Sequence, residues 1–206
     1  MLEFFIAALV IGIAPGPDNL FVLAQSATYG ARLGFCIILG LCTGIAIQIC
    51  LLVAGVSALI AASPTAFFVI QCLGAAYLLY LAYKSFQVRT GTVEIDKGGS
   101  TLHEHPSARK LYLRGIIMNM TNPKVILFIL SLIPPAVRLD RPIHPSLQTA
   151  IFGAEFIIAT MIVFGTIAIL AGTVKKYLLN SPKANRNLNW FSGCVFVLLA
   201  IALFII

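Results

Sequence analysis

Charge is what this sequence has least of. Only 10% of its 206 residues are Asp, Glu, Lys or Arg, against roughly 25% in a soluble domain, and mean hydropathy is +0.99. The apolar residues also run on without alternation. Stretches 34–62, 67–83, 147–174 and 188–206 are almost free of charge, and each approaches or exceeds the ~20 residues that cross a bilayer. This excludes a single large soluble core. Cysteine pairs in CxxC spacing are missing too. Cys36, Cys42, Cys50, Cys72 and Cys194 all fall inside apolar runs and read as small buried apolar residues, not as a disulfide framework or metal site. No basic region precedes the first apolar run, whose sole early charge is Glu3, so a cleaved secretory signal is not expected. An intramembrane hydrolase would need a His/Ser/Asp or HExxH constellation, and none is present. The chain is expected not to be an enzyme.

What is there is a set of long apolar segments punctuated by proline. The expected fold is all-α and integral to the membrane. Six transmembrane helices are placed at 2–27, 33–62, 67–88, 112–135, 147–173 and 188–206, the first interrupted at Pro15-Gly16-Pro17 and the fourth at Asn122-Pro123. The net charge of +7 gathers at span ends, where it sets orientation and does not suggest nucleic acid. Eleven positive residues lie on one set of connections, among them Arg32, Lys84, Arg89, Lys97, Lys110, Arg114, Lys175 and Lys176. The opposite side has Arg138 and Arg141. That bias puts the 89–111 loop in the cytoplasm and both termini outside. The loop is polar, and its His103-Glu104-His105 reads as solvated and not as a metal site.

The loop divides the chain into a three-helix repeat at 1–88, a linker at 89–111 and a second repeat at 112–206. Each repeat opens on a broken helix. Three is odd, so the second must be inverted relative to the first, and matched discontinuous helices in an inverted repeat point to a transporter site near the midplane. Pro17 and Pro123 suit the first turn of a restarted helix, Gly16 allows a sharp approach, and Asn122 can cap the restart. Each restart presents N–H groups and partial positive charge to a bound carboxylate.

Asp18 and Lys124 each follow their proline directly. Ionisable groups at that depth cost at least ~2.5 kcal/mol and usually face a cavity or partner. Asp18 is a candidate for a substrate ammonium or a coupling proton, and Lys124 for a substrate carboxylate. The bland alternative is that the two simply pair with each other. Glu155, roughly 12 Å inside the fifth span, is a second proton-coupling candidate. Gln48 and Asn119 are candidates to line the cavity. Gly40 and Gly44 form a GxxxG step expected to pack helices closely.

These residues make the chain similar to the LysE/RhtB amino-acid exporters over essentially its whole length. Pro15-Gly16-Pro17-Asp18 matches the family's first-span signature, and Gly30-Ala31-Arg32-Leu33-Gly34 its turn before the second span. "GAAYLLYL" at 74–81 resembles its third span, and Arg114–Leu130 carries its Asn-Pro-Lys motif. Gln48 stands where members often have His, Pro135 replaces a usual Gln, and Ala82 replaces a common Gly. The resemblance implies export of amino acids or related small metabolites across the bacterial inner membrane, drawing on the proton gradient. It marks Pro15, Gly16, Pro17, Asp18, Asn122, Pro123 and Lys124 as functional positions. The expected partners are a small-molecule substrate, protons and the lipid bilayer, with no cofactor, bound metal or nucleic acid; homo-oligomerisation is left open. Two other activities of the broad superfamily have weaker support. Metal-ion export wants clustered carboxylates, and transmembrane thiol redox exchange wants cysteines at the breaks.

Overall fold

Five of the eight helices among the described residues begin on a proline, which is pre-set for a first turn and has no N–H to leave unpaired. In the computed structural model the described residues are 2–14, 16–62, 64–87, 106–138, 140, 142–171, 173, 182–202 and 204. Pro15, most of the expected linker with His103-Glu104-His105, and Arg89, Lys97, Arg141, Lys175 and Lys176 lie outside them. The helices are α1 (Leu2–Ile13), α2 (Pro17–Tyr29), α3 (Ala31–Ala62), α4 (Pro64–Gln87), α5 (Ala108–Thr121), α6 (Pro123–Ala136), α7 (Pro145–Ile169) and α8 (Pro182–Ala202). No strand occurs among the described residues.

The two breaks fall where the prolines put them. α1 and α2 meet at 62°, and α5 and α6 at 56°. Ala31–Gly55 of α3 and the whole of α7 are each long and apolar enough to cross a membrane, and counting each bent pair as one span makes up to four. α4 and α8, of 24 and 21 residues, lie at the positions expected for the third and sixth spans but are not among these four. The outer surface carries large apolar side chains, including Leu39, Leu51, Leu73, Ile117, Ile162 and Leu198, as a lipid-facing exterior requires.

Two apolar clusters hold the helices together. The larger joins α1, the C-terminal half of α3, α4, α6, α7 and α8. Its spine is aromatic: Phe4 lies 5.7 Å from Phe128 and 4.9 Å from Phe152, and Phe128 lies 4.9 Å from Phe156. The smaller joins α2, the N-terminal half of α3, α5 and the later part of α7 through Val22, Ile37, Ile38, Leu111 and Phe164. α3 and α7 contribute to both clusters, so the broken helices are clamped on either side of their breaks by two continuous ones.

The GxxxG step packs α3 on α5. A Cβ at Gly40 would strike the Tyr112 carbonyl oxygen, and one at Gly44 would come within 2.7 Å of the Asn119 side chain. Gly115 returns the contact on Gly40 from α5. The Thr43 and Tyr112 hydroxyls add a hydrogen bond of 3.0 Å across the same seam. The cysteines are less uniform than expected. All five are free, but only Cys42 is buried, and Cys50 and Cys194 are exposed on the apolar exterior. A thiol is apolar enough to face lipid, so the apolar runs alone do not decide its burial.

Candidate functional site

Asn122 ties the two breaks together. Its Oδ1 accepts from the backbone N–H of Lys124 at 3.0 Å, capping α6 as expected. Its Nδ2 donates to Asp18 Oδ2 at 2.5 Å, across 104 residues of sequence. Its backbone N–H closes α5 on the Asn119 carbonyl at 3.1 Å. One side chain thus fixes the restart of α6 and the first turn of α2 against each other.

Lys124 does not pair with Asp18. Among the described residues no ion pair within 4.0 Å joins them. The Lys124 ammonium donates instead to the carbonyls of Ile11 at 3.2 Å and Ala14 at 3.0 Å. These belong to the C-terminal end of α1, where carbonyls lack intrahelical partners and the dipole favours a cation. The direct pair considered from the sequence is therefore replaced by a lysine capping the opposite broken helix. Asp18 is 3% exposed and Lys124 7%. Asp18 Oδ1 has no hydrogen-bond partner, nor has Oδ1 of its neighbour Asn19, whose Nδ2 donates to the Gly12 carbonyl at 2.7 Å.

Gly16 is present for a different reason than a sharp turn. It is the N-cap of α2 with φ −159° and ψ 174°, extended backbone open to any residue. What glycine supplies is room, because a Cβ there would stand 3.2 Å from Lys124 Nζ.

Asp18, Lys124 and Asn119 line one small cavity with Ile11, Leu41 and Thr160. Its volume is about 20 Å³, room for about one water molecule. Gln48 reaches this group from α3, donating through Nε2 to the Asn119 Oδ1 at 3.0 Å and its carbonyl at 3.2 Å. On its other side Gln48 borders a more open, apolar cavity of about 380 Å³ with Leu51, Leu52, Met120, Ile126 and Ile129. Pro17 and Pro123 open the two restarted helices. Glu155 is not brought into the cluster. It is half-buried on α7 with Oε2 unpartnered, while Phe156 and Thr160 of the same helix face the small cavity.

Sequence reasoning missed Asn19 and the Ile11 and Ala14 carbonyls. Asn19 carried a signal, being a second polar residue beside Asp18 in an apolar span. The carbonyls carried none, since backbone acceptors are the same in every residue.

The chain is 31% identical over 197 residues to an uncharacterized membrane protein of Vibrio cholerae, covering 95% of this chain and 92% of that one. It is 31% identical over 196 residues to a homoserine/homoserine lactone efflux protein of Salmonella typhi, and 30% identical to the Salmonella typhimurium protein of the same name. Each match covers 95% of this chain and 91% of the relative. No solved structure matches. The family model for LysE type translocators matches residues 9–206. A membrane chain with two broken helices crossing at buried charges, matched by this model over nearly its whole length, belongs to the LysE type translocator family.

Proposed function

We propose that this translocator exports homoserine or a closely related small amino acid, and that the substrate is held where the two broken helices cross. The observation that carries the reading is the Asp18–Asn122 bond between the breaks, with Asp18 Oδ1 left unpartnered beside it. A buried acceptor without a donor is costly, and a substrate ammonium or a coupling proton would satisfy it. Lys124 has three donor hydrogens, of which α1 takes two; the third is free for a substrate carboxylate. Asn119 and Gln48 would line the path, and Glu155 would carry protons outside this cluster. Gly16, Pro17 and Pro123 shape the breaks. The names of the Salmonella relatives support the substrate class.

The cavity at the crossing is too small for an amino acid, so the described arrangement is a closed one and loading requires the breaks to separate. Asn122 is the natural hinge, because its bond to Asp18, beside the Lys124 bonds to Ile11 and Ala14, joins the two broken helices at their breaks. We further propose six spans in two inverted repeats, 1–88 and 112–206, joined by a cytoplasmic linker at 89–111, with both termini outside and the chain in the bacterial inner membrane. The excess of positive residues on one set of connections supports that orientation. The buried Asp18 carboxylate supports coupling to the proton gradient.

The test is efflux from preloaded cells or vesicles across a panel of amino acids, with and without an uncoupler. Uphill efflux of homoserine that collapses with the uncoupler is the expected result. Uncoupler-insensitive efflux would remove the proton from the reading, and no efflux of any amino acid would remove the reading itself.

A further inference from the structure

We infer that the oxygens around Lys124 form a site for a small monovalent cation, which the Lys124 ammonium occupies as a tethered cation. The Ile11 and Ala14 carbonyls at the end of α1 hold the ammonium at 3.2 and 3.0 Å. Asp18 and Asn19, on the first turn of α2, are 3% and 7% exposed, and each has one buried side-chain oxygen without a partner. Asn19 Oδ1 and Lys124 Nζ flank the same space over Gly16, 3.6 and 3.2 Å from where a Cβ would stand. Asp18 and Lys124 line one cavity.

In transporters with broken helices, exposed carbonyls at half-helix ends coordinate small cations. Here such an end has the carbonyls, a carboxylate and an amide oxygen close by, and a cation supplied by the chain itself. The charges of Asp18 and Lys124 balance around one cavity without contact. Removing the amine leaves a hole lined by acceptors next to an uncompensated carboxylate. A free cation of ammonium size can neutralise that group, whereas a water molecule filling the same hole cannot.

This deepens the reading of the breaks as the translocation site, but its test needs no substrate. Wild type, Lys124→Ala and Asp18→Asn/Lys124→Ala are made by cell-free synthesis into lipid nanodiscs in ammonium-containing buffer. They are then exchanged into choline, sodium or methylammonium chloride at equal ionic strength and melted. Methylammonium replaces the group that the substitution removes. The expected result is that methylammonium or sodium raises the Tm of Lys124→Ala over its value in choline, in a saturable way. Wild type melts alike in all three salts, and the double variant does not respond. The inference is overturned if neither small cation shifts Lys124→Ala more than wild type. It is equally overturned if the double variant responds as strongly, or if Lys124→Ala fails to insert even with ammonium present. Homoserine counterflow by the wild type, measured in parallel, reports on the exporter reading alone, so failure of one is distinguishable from failure of the other.

Discussion

Asn122 Nδ2 donates to Asp18 Oδ2, and this bond spans the two helix breaks. The same residue caps α6 through its other amide atom. Asn122→Ala therefore loses a helix cap, worth ~1 kcal/mol, and leaves both Asp18 oxygens without a donor, ~1–3 kcal/mol more. Asn122→Ser keeps a capping oxygen but not the bond to Asp18. The expected order of Tm in detergent is wild type, then Ser, then Ala. Equal melting of all three would mean that the breaks are held by something other than Asn122.

Gly16 and Gly30 separate space from backbone strain. Gly30 ends α2 at φ 89° and ψ 158° with nothing within 4 Å of a Cβ, so Gly30→Ala costs ~1–3 kcal/mol in stability and leaves transport per folded molecule intact. Gly16 is extended, so Gly16→Ala costs little in backbone energy but crowds Lys124 Nζ. That variant is expected in the membrane at normal levels with impaired efflux. Surface quantitation alongside vesicle efflux checks both, and full efflux by Gly16→Ala would contradict the assignment.

Close contact between α3 and α5 rests on Gly40. Gly40→Ala presses on the Tyr112 backbone and is expected to destabilise by ~1–3 kcal/mol, the usual range for overpacking. Gly55, further along α3, has nothing within 4 Å, so Gly55→Ala should leave the Tm unchanged or slightly raised. Comparable losses at both positions would contradict the contact account, because helix propensity favours Ala over Gly at each.

The breaks were legible in the sequence because proline fixes φ and removes a donor wherever it stands. The burial of Asp18 and Lys124 was legible from the length of apolar chain around them. Their partners were not. Lys124 chooses carbonyls of α1 over Asp18, which depends on how α6 is rotated against the end of α1, and side-chain spacing does not record that. Gln48 and Asn119 were each visible as polar residues in apolar spans, but their mutual hydrogen bond depends on the register of α3 against α5. That register is set by Gly40 and Gly115, residues whose contribution is an absent side chain.

The central claim is that Asp18 and Lys124 serve transport and not merely structure. Uphill homoserine efflux by Asp18→Asn, Lys124→Gln and the double variant, each normalised to protein in the membrane, tests it most directly. Removing one charge from a purely structural pair strands the other at a cost of about 3–5 kcal/mol, which removing both relieves. If the two groups handle substrate and proton, the single variants lose uphill efflux, and the double variant is present in the membrane and equally inactive. Recovery of uphill efflux in the double variant would contradict the account and assign both residues to the scaffold.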